Sequence, residues 1–312
     1  MKHFSRKRAL ISGAALVTSE VFGLRTLANA QQAPLRVGAG LIEPQAEAYY
    51  ARDAGFFKKY GLDVDVRTSQ NGAATSAAVA GGDLQIGVSS VLGLAQAHEH
   101  GLPFVIIAPG GVHDSRFPGS AVVVAPDSKI ASAKDLNGKT VAVATANGLD
   151  QLLTSALVQK YGGDPTSLKF TEIRPVLMVN ALLQGRVDAA CMEDPELTAA
   201  RKATRSLGDG EDAIGKLFVE TAWFSTRDWL AKNEPTARRF RDAIIAAGAW
   251  AMANPEKAGT ILQQALKVTQ SHATQRFATH VNAQDFQLLL DAAAKHKVIA
   301  PVNAIDLIWN AK

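Results

Sequence analysis

The chain has 312 residues, of which 47% are hydrophobic and 20% are charged, and its formal net charge is +4. This composition is typical of a globular protein and excludes a disordered chain or a basic nucleic-acid-binding arm. One cysteine, Cys191, excludes an intramolecular disulfide and a cysteine-clustered zinc site.

Residues 1–30 are predicted to be a cleaved secretory leader. A basic start (2–8) is followed by a short apolar run (9–17) and by the small residues Ala28-Asn29-Ala30, which is the order of an export signal. We expect cleavage near Ala30, general secretory export in preference to the twin-arginine route, and a periplasmic protein without a lipid anchor. The leader holds five basic residues and one acidic residue, so the remaining 282 residues hold 28 of each and have no net charge.

Strand-like and helix-like segments alternate from Leu35 onward, which predicts an α/β sheet. Apolar or alternating segments predict strands at 35–38, 62–67, 84–88 and 104–108. The intervening segments 43–59, 71–80 and 89–100 are predicted helices, and a glycine follows each of them. The tail is predicted to be mostly helical, with Pro235, Pro255 and Pro301 at helix starts. The longest apolar run, 243–253, is too short to span a membrane and predicts a buried helix.

A weak internal repeat predicts two similar lobes. Lys58-Lys59-Tyr60-Gly61 is echoed by Gln159-Lys160-Tyr161-Gly162 at an offset of 101 residues. The run 78–88 is echoed by 181–191 at an offset of 103 residues, and two matches in the same order at nearly one offset indicate a duplicated unit.

Two segments are predicted to connect the lobes. Residues 113–120 are polar and contain proline and glycine, and residues 217–225 form a strand-like run that crosses back. The predicted first lobe is therefore 34–114 with 222–312, and the predicted second lobe is 119–219.

Four short motifs resemble enzyme motifs, and each lacks an essential feature. The glycine-rich turn at 38–40 has Glu43 where a dinucleotide fingerprint needs glycine, and the phosphate-loop-like run 137–140 has Ala133 in place of its leading glycine. The elbow-like run 87–91 ends in Val91 instead of glycine, and the histidines of 98–100 lack the spacing of a helical zinc site. We therefore expect no catalytic residues, cofactor, metal or nucleic-acid partner.

The loops that follow strands and precede helices are the predicted binding surface. Helix N-termini there offer free N–H groups, and ligands of open α/β sheets bind at the carboxyl ends of strands. These loops are 40–45, 71–73 and 89–90 in the first lobe, and 145–148, 174–177 and 192–194 in the second. Two facing sets of loops predict a ligand cleft between the lobes.

Several segments, in order, resemble the nitrate/sulfonate/taurine-type periplasmic binding proteins, also called the thiamine-pyrimidine-synthase-like group. They are LRVG from Leu35, YYARDAGFFKKYGLDVDV from Tyr49, AAVAGGDLQIGVSS from Ala77, SKIASAKDLNGKTVAVA from Ser128 and ALLQGRVDAACMEDP from Ala181. The resemblance covers about residues 35–225. It implies a type II periplasmic binding fold, with two α/β lobes, a cleft between them and a two-strand hinge.

The resemblance also implies a function and a set of site residues. The chain would capture a small anionic or zwitterionic organic ligand, of the sulfonate, nitrate, taurine or carboxylate kind, for the permease and ATPase subunits of an ABC importer. We expect it to be a monomer. With the loop argument, the resemblance gives as candidate ligand contacts Glu43, Gln45, Asn71, Gly72, Ala73, Ser89, Ser90, Thr145, Asn147, Gly148, Glu193 and Trp223.

Two alternatives stay open at this point. Glu43, Glu193 and Asp194 either pair with an amine or amidine of the ligand or serve as structural groups. The alternative function is a pyrimidine-precursor binding protein or a synthase-related enzyme, because the fold group includes a pyrimidine-forming synthase. That enzyme uses a histidine-rich site and a cysteine cluster, which Cys191 alone does not supply.

Overall fold

The computed structural model describes residues 33–194, 196–267 and 273–310, and the predicted leader with its cleavage site lies outside them. Within these residues the strands are, in chain order, β1 (Leu35–Ala39), β2 (Val64–Thr68), β3 (Ile86–Ser90), β4 (Phe104–Pro109), β5 (Gly111–Asp114), β6 (Ser120–Val124), β7 (Thr140–Val143), β8 (Lys169–Glu172), β9 (Ala189–Glu193), β10 (Arg205–Gly208), β11 (Leu217–Val219), β12 (Thr221–Thr226) and β13 (Arg276–Phe277).

The α-helices of the same residues follow the same chain order. They are α1 (Glu47–Asp53), α2 (Phe56–Lys59), α3 (Gly72–Ala80), α4 (Val91–Glu99), α5 (Leu149–Lys160), α6 (Pro175–Leu183), α7 (Glu196–Ala200), α8 (Arg227–Ala253), α9 (Pro255–Leu266), α10 (Ala283–Lys295) and α11 (Ala304–Leu307). Short 3-10 turns occupy Glu43–Gln45, Ala133–Leu136, Pro165–Ser167 and Glu211–Ala213.

Two five-stranded sheets of the same design form the body of the protein. The strand order of one is β2-β1-β3-β12-β4, and that of the other is β8-β7-β9-β6-β10. In each sheet the first three strands of this order are parallel, and the fourth is antiparallel to the third. The α/β, two-lobed fold expected from the sequence is confirmed, and we call the first sheet with its helices the first lobe and the other the second lobe.

The chain passes between the two sheets through a small third sheet. Strand β5 leads from β4 to β6, strand β11 leads back to β12, and the two pair antiparallel. This pair is the two-strand connection that the resemblance implies. A third strand from the helical tail, β13, pairs with the other edge of β5; its two residues carry no strand signal in the sequence.

The first lobe is held by an aromatic core. Tyr49, Tyr50, Trp223 and Phe240 are almost fully buried, and the Trp223 and Phe240 rings meet edge to face with centroids 5.5 Å apart, a favourable aromatic geometry. The apolar run 243–253 lies in α8, and its residues facing α1 and α9 are buried, as predicted for a buried helix. Among the described residues, no helix is long and apolar enough to cross a membrane.

Three elements differ from the sequence prediction. The predicted helix 43–59 is divided, because Gly55 adopts a positive φ of 82° between α1 and α2. The predicted strand 217–225 is interrupted at Glu220, between β11 and β12. Of the three prolines expected at helix starts, Pro255 opens α9 and Pro235 follows a kink at Asn233 inside α8, but Pro301 precedes a helix that Asn303 caps.

Candidate functional site

A cavity of about 640 Å³ lies between the two sheets. Its walls are formed by the loops after β1, β2, β3, β7, β8 and β9, together with Glu220 and Thr221 where the chain returns to the first sheet. These loops follow the carboxyl ends of the parallel strands, which is where ligands bind in open α/β sheets.

The structure brings nine of the twelve predicted site residues together around this cavity. They are Gln45, Asn71, Gly72, Ala73, Ser89, Ser90, Thr145, Gly148 and Glu193. They come from five separate segments of the chain, so only the fold places them side by side. Their contact with a ligand remains a prediction.

The other three predicted residues are placed differently, and each has a physical reason. Trp223 is fully buried in the first-lobe core, where its Nε1–H donates to Glu47 Oε2 at 2.6 Å. Glu43 is also fully buried and accepts the backbone N–H groups of Thr274 and Gln275 at 2.6 and 3.0 Å, so it anchors the tail.

Asn147 is exposed and has a positive φ of 56°. Its backbone carbonyl accepts from the Gln96 side-chain amide at 2.9 Å, a bond that joins the two lobes beside the cavity. Its place is therefore at a contact between the lobes and not in the cavity wall.

Two helix N-termini contribute small, uncharged residues to the first-lobe wall. Asn71 caps α3 by accepting the Ala74 N–H at 2.9 Å, and Ser90 caps α4 by accepting the Gly93 N–H at 3.1 Å. A Cβ at Gly72 would lie 3.2 Å from Ser89 Cβ and closer still to its hydroxyl oxygen. Glycine therefore lets α3 begin against the end of β3.

Among the described residues, the N-cap residues of four helices line the cavity. The N-cap residues of α3, α4, α5 and α6, all of which line it, are Asn71, Ser90, Gly148 and Arg174. Free N–H groups and the helix dipole at such positions favour an anionic group. Arg174 is exposed and is the one basic residue among the described residues that line the cavity.

The second-lobe side of the cavity carries carboxyl groups. Asp150 of α5, Glu193 at the end of β9 and Glu196 of α7 line it, and Glu220 joins them from the crossing strand. Sequence reasoning singled out Glu193 alone. The sequence does contain a signal that could have identified Glu220, because it is the single acidic residue in the apolar run LFVETAWFS. Asp150 and Glu196 offer no such signal, because they look like ordinary acidic residues of a first helical turn.

Burial changes the protonation of these carboxyl groups. Loss of solvation raises the pKa of Asp150 to about 6 and raises the pKa values of Glu193 and Glu220 well above the usual range. The charges of Asp150 and Glu211 add to the rise in the pKa of Glu193, and the charge of Glu211 adds to the rise in the pKa of Glu220. The Oε2 atom of Glu193 is buried without a hydrogen-bond partner.

His113 ties the crossing strands to the second lobe. Its Nδ1 lies 2.7 Å from Glu211 Oε2 and its Nε2 lies 3.1 Å from Asp212 Oδ1. Burial by itself lowers the pKa of His113, but the hydrogen bond and charge of Glu211, with Asp209 and Asp212, outweigh it and the pKa is raised. His113, Asp209 and Glu211 also bring ligand atoms within 4.8 Å of one another, close enough to hold a metal ion, but a protonated imidazole already satisfies this geometry.

Comparison with known proteins agrees with this architecture. The sequence family described as NMT1/THI5 like matches residues 44–258. The chain is 28% identical to the taurine-binding periplasmic protein of Escherichia coli (strain K12) over 208 residues, 65% of this chain and 62% of that relative. The chain thus spans less than two thirds of that relative's length.

Two further similarities bear on the fold and the chemistry. The chain is 25% identical over 225 residues to a 4-amino-5-hydroxymethyl-2-methylpyrimidine phosphate synthase of Saccharomyces cerevisiae (strain ATCC 204508 / S288c), covering 67% of this chain and 64% of the synthase. The periplasmic aliphatic sulphonate binding protein of Escherichia coli superposes with a TM-score of 0.72 at 20% identity, covering 89% of this chain and 92% of that structure.

Proposed function

The chain belongs to the NMT1/THI5-like family, and from this premise we propose that it is the solute-binding protein of an ABC importer. It captures a small organic molecule between its lobes, outside the cytoplasmic membrane, and delivers it to the permease and ATPase subunits. The observation that carries this proposal is the 640 Å³ cavity at the carboxyl ends of two matched sheets that are joined by two crossing strands.

The mechanism that this geometry supports is closure on a ligand. A molecule that contacts both walls binds better when the lobes are together, and this difference in affinity is what shifts the population toward the closed state. Contacts between the lobes already exist beside the cavity. Gln96 donates to the Asn147 carbonyl at 2.9 Å, and the Glu43 N–H donates to the Asp194 carbonyl at 3.2 Å.

The proposed ligand carries an anionic group and is of the sulfonate or carboxylate kind. Four helix N-termini and Arg174 meet at the cavity, and free N–H groups there suit a tetrahedral or planar anion. The similarity to a taurine-binding and to an aliphatic sulphonate binding protein supports the same chemistry.

We propose that the lobes are 34–114 with 222–312, and 119–219, and that the protein acts as a periplasmic monomer. Sheet membership supports these boundaries, because β1–β4 and β12 form one sheet whereas β6–β10 form the other. The tail follows the first lobe, since α8 packs on α1 and β4.

Native mass spectrometry of the full chain, expressed with its leader and purified gently from the periplasm, tests the function. We expect one small molecule bound per chain and compaction in small-angle scattering when that molecule is added back. Gly72→Val should lose the bound molecule, because the added side chain collides with Ser89. The matched control Ala74→Val changes an exposed residue of the same helix that does not line the cavity. No bound molecule and no compaction with any saturating candidate would contradict the proposal.

The second candidate function is binding of a pyrimidine precursor, and the carboxyl-lined side of the cavity favours it. Buried carboxyl groups accept hydrogen bonds from ring amino and amidine-like N–H groups. An enzymatic role has less support, because no histidine of the described residues lines the cavity and Cys191 is the one cysteine that does. A pyrimidine in the native mass spectrum would favour this candidate.

A further inference from the structure

We propose, on the basis of the proposed function, that the ligand of this cavity must carry a cationic nitrogen group, an ammonium or an amidinium, which binds against Asp150, Glu193 and Glu220. The anionic group assigned to the helix N-termini would then form the other end of a zwitterion. This inference makes the acidic side of the cavity the determinant of specificity.

The first observation is that the carboxyl groups reach the cavity from unrelated segments. Asp150 stands in the first turn of α5, Glu193 ends β9 and Glu220 lies between β11 and β12. Asp150 and Glu220 have 8% and 3% of their surface exposed. Buried carboxyl groups are costly to hold unless they are paired or hydrogen-bonded. Their convergence on a cavity therefore indicates a binding role.

The second observation is that the described residues lining the cavity include no buried basic partner for these groups; His113, which pairs with Glu211, lies outside the lining. Arg174, the one basic residue among the described lining residues, is exposed at the start of α6. The nearest charges to these groups are other carboxyl groups: Asp150 raises the pKa of Glu193, and Glu211 raises the pKa of Glu220. A ligand cation placed among them would offset this repulsion.

The third observation is an unused acceptor. One oxygen of Asp150 accepts the Ala144 N–H at 2.6 Å, whereas the Oε2 atom of Glu193 is buried with no hydrogen-bond partner. Glu196, which also lines the cavity, has a buried Oε2 atom in the same state. A group with two or more N–H donors satisfies several of these oxygens at once.

The same arrangement selects against simple anions. A nitrate ion or an alkanesulfonate without an amine would leave the carboxyl oxygens without donors and would add a like charge to this side of the cavity. A site built to accept hydrogen bonds rejects an analogue that lacks the donor, because its own buried polar groups are then left unpaired.

Titration calorimetry with two matched sulfonates tests the proposal. Taurine and isethionate share the two-carbon sulfonate and differ only in an ammonium in place of a hydroxyl group. We expect taurine to bind about tenfold or more tightly than isethionate. Equal affinities, or tighter binding of isethionate, would overturn the proposal and leave the solute-binding function standing.

If neither sulfonate binds, the molecule found by native mass spectrometry decides the matter. A bound molecule with a basic nitrogen supports the proposal, and one without a basic nitrogen overturns it. The absence of any bound molecule and of closure counts against the proposed function itself, and the inference fails with it.

A pair of variants assigns the effect to the carboxyl side, using the molecule that co-purifies or taurine if it binds. Glu193→Gln keeps the shape of the side chain and should weaken binding of a cationic ligand by about tenfold or more. Glu256→Gln changes an exposed carboxyl group at the start of α9, away from the cavity, and should leave the affinity unchanged. An equal, small effect of both variants would contradict the assignment.

Discussion

The two walls of the cavity come from sheets with the same strand order, yet they differ in chemistry. The described residues of the first-lobe wall, such as Gly72, Ala73 and Ser89, are uncharged, and many of them are small. The second-lobe wall carries Asp150, Glu193 and Glu196. The shared topology determines where the loops lie, whereas the side chains on those loops determine what they bind. Both lobes therefore supply helix N-termini, but the second lobe alone adds charged side chains.

His113 lies in β5, one of the two strands that connect the lobes, and contacts acidic residues of the second lobe. We expect the largest effect on stability from a substitution at this residue. His113→Ala removes the imidazole that faces Glu211, Asp209 and Asp212, and these carboxyl groups raise the pKa of His113 and so favour its charged form. Breaking a buried pair by removing one partner leaves an uncompensated charge, which costs about 3–5 kcal/mol. We expect a loss of that size in the free energy of unfolding, measured by urea denaturation at pH 7.

His280→Ala is the matched control for this prediction. His280 is 69% exposed in its side chain and lies 3.7 Å from Asp285, so its removal should cost less than about 1 kcal/mol. If His113→Ala is no more destabilising than this control, the contacts of His113 with these carboxyl groups do not stabilise the connection between the lobes.

Much of the fold was accessible from the sequence, for reasons that specific elements make plain. The strands β1, β3 and β4 overlap the short strand-like runs predicted from the sequence, and the repeated helix–glycine–strand units indicated two equivalent sheets. The crossing strands were harder to read. Strand β13 has two residues and exists only because it pairs with β5, so no local pattern could reveal it.

The site was less accessible, because a loop position predicts nearness to the cavity but not the direction of a side chain. Ser89 and Ser90 were found because a strand ends there and a helix begins. Trp223 lies on a strand that also borders the cavity, yet its ring faces the core and donates to Glu47. Asp150 was missed because first-turn acidic residues are common helix features, and its burial comes from long-range packing.

Asp150→Asn tests the contrast between the walls, because it removes one ionisable group from the acidic side. The folded-state pKa of Asp150 is raised to about 6 by burial, so the folded protein binds this proton more tightly than the unfolded chain does. Wild-type stability therefore falls as the pH rises from about 4 to 6 and stays lower above that range. Asparagine does not ionise, and its side chain still accepts from Ala144 and can donate to Glu193.

We expect Asp150→Asn to raise the free energy of unfolding by about 2 kcal/mol at pH 8, with the gain disappearing near pH 4. Denaturation at both pH values measures it. Asp63→Asn, at an exposed position, should change stability by less than about 0.5 kcal/mol at either pH. A gain that does not depend on pH would show that the buried charge is not its cause. A stabilised variant that also binds a cationic ligand poorly would show that the acidic wall is kept for binding at a cost in stability.

The smallest expected effect concerns Asn71, and it tests whether folding requires the first-lobe wall to be uncharged. Asn71 caps α3 through its side-chain oxygen, which accepts the Ala74 N–H at 2.9 Å. Aspartate caps a helix as well as asparagine does, whereas alanine does not, so Asn71→Ala should cost about 1 kcal/mol and Asn71→Asp should cost almost nothing. Thermal unfolding of the three proteins in one buffer measures both changes.

If Asn71→Asp is as stable as the wild type, folding accepts a negative charge on the first-lobe wall, and its absence there reflects the ligand. The same variant should then weaken binding of a ligand whose anionic group meets the N-terminus of α3, because a new carboxylate would repel that group. A large loss of stability in Asn71→Asp would instead mean that the packing of α3 against β3, where Gly72 meets Ser89, excludes the charge. In that case the packing of the fold, and not the chemistry of the ligand, would account for the difference in charge between the walls.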